Sequence, residues 1–195
     1  MPILIDETYE PIEEFKFSPA MFEAKRKGGH LIVLVHGFLG SSIDLRLMKN
    51  IVSWKNPELQ FLCSVDNESS TEGDIQYMGE KLAKEVKMYV KEWFPNNTLG
   101  KLSFIGHSLG GVIIRAALPL LEEYKQSMHT YLSLSTPHLG CMFGNSTLVD
   151  TGMWIIKKWK KSRCLEQLSM SDEKESNNMF MYRLSQAIVF LTITK

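Results

Sequence analysis

The chain has 195 residues, 44% of them hydrophobic, which is enough for one compact domain with a substantial core. Lys plus Arg and Asp plus Glu number 22 each, so no charge bias draws it toward nucleic acid, and no nucleic-acid partner is expected. Cys63, Cys141 and Cys164 show neither metal-ligand spacing nor a disulfide framework, so a reducing, cytoplasmic setting and the absence of a metal or other cofactor are the expectations.

In chain order, the amino terminus comes first. It is acidic before any basic residue and has no continuous apolar stretch, unlike a signal peptide. No apolar run approaches the roughly 20 residues of a membrane-spanning helix. After a turn at Lys25-Arg26-Lys27-Gly28-Gly29, the apolar run Leu31 to Val35 reads as a central parallel strand. Ser41 and Ser42 offer N-caps for a helix whose Ile43, Leu47, Ile51 and Trp54 recur every three or four residues. A second strand spans Leu59 to Val65. Asp74 caps a long helix carrying Ile75, Met78, Leu82, Val86, Tyr89, Val90 and Trp93 on one stripe, and Pro95 closes it. A strand over Lys101 to Ile105, a helix over Gly110 to Tyr124 and a strand over Thr130 to Ser135 follow. The alternation predicts an α/β fold with a mainly parallel sheet and helices on both faces. Ligands of such a sheet gather at the carboxyl ends of its strands.

Two of those ends carry the chemistry. Gly106-His107-Ser108-Leu109-Gly110 matches the Gly-x-Ser-x-Gly nucleophile elbow, in which a sharp strand-to-helix turn lifts the serine above the sheet. Gly106 and Gly110 spare neighbouring backbone from collision. The pattern alone is weak; the strand before it and the helix after it make it specific, and mark Ser108 as nucleophile. The second element, His36-Gly37-Phe38-Leu39-Gly40, follows the first strand. An acyl-transfer intermediate carries a negative oxygen that needs preorganised backbone donors. The amides of Leu109, at a helix amino terminus, and of Phe38, in a glycine-flanked loop, are the candidate pair. His36 and His107 read as structural.

The stretch from His30 to about Gln186 resembles the lipase-like serine esterases, in particular the group called family with sequence similarity 135. The resemblance rests on His30 to Gly37, Asp44-Leu45-Arg46, Ser103 to Gly110, Ser133 to Gly140, and the run from Asn145 through Trp154 to Ser162. It implies an α/β-hydrolase fold over residues 29–186, preceded by an arm (1–28) and followed by a divergent tail (187–195). It also implies hydrolysis of carboxylic esters, with an ester or lipid as substrate.

A serine nucleophile needs a histidine to take its proton and a carboxylate to orient that histidine. The chain order in this fold is nucleophile, acid, histidine. The resemblance places acid and histidine beyond Arg183-Leu184-Ser185-Gln186, where the chain reads Ala187-Ile188-Val189-Phe190-Leu191-Thr192-Ile193-Thr194-Lys195. Both are therefore expected past Lys195, in keeping with a truncated form, although the tail's composition also suits an added edge strand. Inside the chain, His138 is the candidate surrogate base and His129 stands at the wrong end of its strand. Asp44, Asp150 and Asp172 are the available acids, of which Asp44 reads as a first-turn helix carboxylate and Asp172 as part of a solvated loop. Finally, Met153 to Lys161 combines aromatic and basic residues. It reads either as a surface helix with snorkelling lysines or as a peripheral membrane contact through Trp154 and Trp159. A catalytically silent hydrolase fold that binds lipid or a protein partner is the alternative to a serine esterase.

Overall fold

The computed structural model describes residues 28–141 and 162–187. Four strands, β1 (Gly29–Val35), β2 (Gln60–Cys63), β3 (Leu99–His107) and β4 (Met128–Leu134), form a parallel sheet in the order β2-β1-β3-β4. The chain moves outward from β1 to β2, then crosses back over β1 to reach β3 and β4. The reversal lies between β1 and β3, and their carboxyl ends flank the crevice in which such sheets place ligands.

β1 is apolar on both faces because both are covered. Leu31, Val33 and Val35 join the main core with helices α2 (Ile75–Trp93) and α3 (Leu109–Ala117). Ile32 and Leu34 point the other way, toward Leu45, Met48 and Val52 at helix α1 (Arg46–Lys55) and the 3-10 turn Ser42–Leu45 that leads into it. Asp74 caps α2 as expected, its carboxylate accepting from the Tyr77 amide at 3.1 Å. Ile75, Met78, Leu82, Val86 and Val90 of the expected stripe are buried; Trp93 is exposed and stacks on Tyr89. Two short helices, α4 (Arg163–Leu168) and α5 (Phe180–Gln186), close the core with Cys164, Leu165, Leu168, Phe180, Met181 and Leu184. Gln167 locks α4 to the start of α2, accepting from the Ile75 amide and donating to the Asp74 carboxylate, both at 2.8 Å.

Two elements differ from expectation. The stripe of Ile43, Leu47, Ile51 and Trp54 faces solvent, with Leu47 71% and Trp54 83% exposed. This helix has a second apolar stripe, Leu45, Met48 and Val52, and only that one lies on the sheet. Its 3-10 entry also advances about three residues per turn, which shifts the phase relative to an α-helix. The helix expected over Gly110 to Tyr124 ends at Ala117 and continues as 3-10 turns over Leu118–Ser127, kinked at Leu121. Pro119 has no amide to give to the helix.

Burial assigns different costs to these residues. Polar substitution of the exposed Leu47 or Ile51 is expected to change unfolding free energy by no more than about 0.5 kcal/mol. Truncation of the fully buried Ile113 to Ala is expected to cost about 2–5 kcal/mol. Urea unfolding of Leu47→Gln, Ile51→Gln and Ile113→Ala checks the ranking.

Candidate active site

The turn between β3 and α3 is held by close approach. Val35 pairs with Gly106 in the β1–β3 register. A methyl on Gly106 would meet the Gly111 backbone at 2.6 Å, and one on Gly110 would strike the carbonyl oxygens of Val35 and His36. Between them, Ser108 takes φ 51° and ψ −123°, a conformation that costs an L-residue about 1–3 kcal/mol. Its amide donates to Leu134 O at 2.8 Å, tying the turn to β4. Ser108 is half-buried, and among the described residues no side chain hydrogen-bonds to its hydroxyl. Leu109 is the first residue of α3, where an amide has no intrahelical acceptor and the dipole favours negative charge.

The β1 register carries the loop after it to the same place. A methyl on Gly37 would stand 3.0 Å from Ser108 Cβ and 3.2 Å from His107 O, so this loop lies directly against the elbow. His36 is buried, its Nδ1 3.1 Å from Gly37 O, and its Nε2 meets no partner among the described residues. Four successive amides are bound: Leu39 N–H to Thr71 Oγ1 at 3.0 Å, Gly40 to Gly37 O at 3.1 Å, Ser41 to the Asp44 carboxylate at 3.0 Å and Ser42 to the Glu68 carboxylate at 2.7 Å. Leu39 itself has φ 52°. The hydrogen bonds from Ser42 hold the Glu68 carboxyl below the usual range. Asp44 is indeed a first-turn carboxylate.

His138 stands at the same rim, past β4, where Ser135 is another left-handed residue at φ 52°. Its Nε2 lies 2.8 Å from Ser133 Oγ, its carbonyl accepts from Arg115 at 2.9 Å, and its ring meets the edge of Tyr131. Burial, helped by the Arg115 charge, lowers its pKa. His129 lies at the opposite end of β4, its ring against His30. Asp172 is no solvated loop residue: its carboxylate accepts from the Phe180 amide at 2.9 Å and starts α5, and its other oxygen is buried. Asp150, Trp154 and Trp159 lie outside the described residues. So does the tail from residue 188 on, and so does most of the arm.

Among the described residues no three or more His, Cys, Asp or Glu side chains gather as metal ligands, and no helix is long and apolar enough to cross a membrane. All three cysteines are free thiols. Burial pushes Cys164 up to about 11, and its Sγ donates to Thr71 O at 3.1 Å. Thr71 and Glu68, which hold the loop beside Ser108, carry no motif or spacing by which sequence reasoning finds them.

A parallel sheet reversed between β1 and β3, with helices on both faces and a strained serine turn at its carboxyl rim, is an α/β-hydrolase fold. The chain belongs to the family described as "Putative serine esterase (DUF676)", which matches residues 25–193. It is 24% identical over 179 residues to "Putative lipase ROG1" of Saccharomyces cerevisiae, covering 86% of this chain and 25% of the yeast protein. To "Putative lipase YDL109C" of the same yeast it is 28% identical over 172 residues, covering 80% and 25% respectively. The chain thus spans about a quarter of the length of these curated relatives. Among solved structures it is similar to Bacillus licheniformis lipase BlEst2 in its propeptide form. There the TM-score is 0.51 and the identity 21%, covering 90% of this chain and 36% of that one. Family and fold together place the chain among the lipase-like and serine-esterase-like hydrolases.

Two measurements follow from this geometry. Gly110→Ala is expected to destabilise by about 1–3 kcal/mol through collision with β1, read by urea unfolding. In an NMR titration His138 is expected to protonate below its ordinary 6.5. The unfolded chain binds that proton first, so stability is full above 6.5 and falls as pH drops toward the folded-state pKa. His138→Gln removes this share of the pH dependence, and His30, also lowered by burial, keeps its own.

Proposed function

We propose that the chain supplies the nucleophile and oxyanion donors of a serine hydrolase acting on carboxylic esters, with Ser108 as the attacking residue. The observation that carries this is the conformation of Ser108: a left-handed serine at a strand-to-helix turn, against the Gly37 loop and at the amino end of α3. Attack of Ser108 Oγ on the ester carbonyl forms a bond to carbon and moves the carbonyl electrons onto oxygen. The amides of Leu109 and Phe38 receive that oxyanion, each donor worth about 2.7–4 kcal/mol. Collapse expels the alcohol and leaves an acyl-enzyme that water hydrolyses. The names of the yeast relatives favour a lipid ester. For such a substrate, Trp154 and Trp159 are the proposed membrane contact; liposome sedimentation unchanged by Trp154→Ala and Trp159→Ala would remove it.

Attack needs a base. His138 is the surrogate that these residues offer, and to serve it has to release Ser133. The second reading, a silent hydrolase fold that binds lipid or a protein, is favoured by the lack of any described partner for the Ser108 hydroxyl.

A fluorophosphonate probe separates the two, because it reports an accessible, activated serine. Labelling of the folded chain is expected, and is expected to vanish in Ser108→Ala. A folded chain that does not label supports the silent form. Labelling at the wild-type rate in His138→Gln removes His138 as base.

A further inference from the structure

We propose that Thr71 is a positioning residue for the oxyanion loop: its hydroxyl holds Leu39 in a left-handed conformation and so anchors the carboxyl side of Phe38 beside the Ser108 turn. This rests on the reading of Ser108 and Phe38 given above.

Leu39 has a branched side chain and φ 52°, a conformation that L-residues other than Asn, Asp and Gly avoid. Something must hold it there, since a free leucine returns to negative φ. Of the four amides of this loop with known acceptors, two are bound by exposed carboxylates, Asp44 and Glu68, and one by the loop's own Gly37 carbonyl. Only the Leu39 amide is given to a buried side chain. Thr71 is 2% exposed and reaches across 32 positions of sequence to accept that amide at 3.0 Å.

The acceptor is itself immobilised. Thr71 O accepts from Cys164 Sγ at 3.1 Å, and the next carbonyl, Glu72 O, accepts from Ser162 Oγ at 3.2 Å. Both anchors sit at the start of α4, which is clamped to α2 by Gln167. The path from the core to the loop is therefore α2, α4, Thr71, Leu39. Because Thr71 is neutral and buried, this hold does not weaken with salt or acid, whereas the Glu68 contact loses its charge assistance on protonation.

Thr71 fixes the peptide between Phe38 and Leu39, which adjoins the Gly37–Phe38 peptide that carries the Phe38 N–H. Without the hydroxyl, Leu39 relaxes and its amide seeks another acceptor. The Gly37–Phe38 peptide, no longer braced from its carboxyl side, then turns its N–H away from the position of the oxyanion. The donor is needed in the transition state more than in the ground state, so the loss falls on kcat and leaves KM unchanged.

The test uses the full chain, a p-nitrophenyl butyrate assay and residue-resolved amide exchange. Thr71→Val is expected to lower kcat about 10- to 100-fold, less than outright removal of an oxyanion donor, with KM unchanged and faster exchange at Leu39. Thr71→Ser, which keeps the hydroxyl, is expected to restore both. Should Thr71→Val fail to fold, Thr71→Ala takes its place. Wild-type kcat in the hydroxyl-free variant overturns the proposal, as does a Thr71→Ser variant as slow as the hydroxyl-free one. If the unsubstituted chain shows no Ser108-dependent turnover, the reading of Ser108 has failed and exchange at Leu39 decides alone. Protection lost in Thr71→Val and recovered in Thr71→Ser sustains the hold on the loop; unchanged protection ends it.

Discussion

The close seating of α3 on the end of β1 is the constraint on which the site depends. The amino end of α3 comes so near the Val35 and His36 carbonyls that only Gly110 fits, and Gly106 allows the Gly111 backbone equally near. α2 follows suit, Gly79 lying on Ala116 with no room for a side chain between them. These contacts bring a helix amino terminus to the rim where β1 and β3 diverge, and the dipole and first amides of α3 face the crevice. Any larger residue would lift α3 from the sheet and carry Ser108 away from the Gly37 loop.

Such tight turns are strained, and three of the strained residues gather at this rim. Leu39, Ser108 and Ser135, none of them glycine, take left-handed φ at the ends of β1, β3 and β4. Two of these turns are tied to a neighbour and not left to hold themselves: Leu39 to Thr71 in the loop after β2, Ser108 to Leu134 of β4. The rim is thus an arc of mutually bonded loops above a core in which Leu31, Val33, Val35, Leu102 and Val112 are fully buried. The core's stability maintains conformations that the local sequence does not favour.

That division explains what was legible in the sequence. The elbow at Ser108 was readable because its glycines answer to a steric need at fixed spacing, between a strand and a helix. α2 was readable because cap, stripe and closing proline agree. The face of α1 was not, since Ile43-Leu47-Ile51-Trp54 and Leu45-Met48-Val52 are both apolar stripes and periodicity does not say which one meets Ile32 and Leu34. Pro119, a helix breaker present in the sequence, lies where the helix expected over Gly110 to Tyr124 gives way to 3-10 turns. Thr71 and Glu68 lie 32 and 26 residues from the amides they bind, and contacts at such separation exist only once the fold has formed. The left-handed Leu39 was hidden for the same reason, because leucine carries no turn signal.

The hydroxyl of Ser108 has a meaning apart from the turn that bears it. No described side chain bonds to it, so among the described residues the turn is held by the Gly106 and Gly110 contacts and by the backbone bonds of Ser108 to Leu134 and Gly111. A structural turn at φ 51° is most cheaply made by glycine. Here a side chain with a nucleophilic atom occupies that conformation, beside a loop whose amides are fixed by named acceptors. On the proposed reading the oxyanion half of the site consists of backbone donors, which need no protonation event whatever supplies the base. In serine hydrolases that half and substrate binding alone retain roughly 10³–10⁴-fold catalysis over water. On that reading, activity turns on proton removal from Ser108, whose placement is set by how α3 sits on β1.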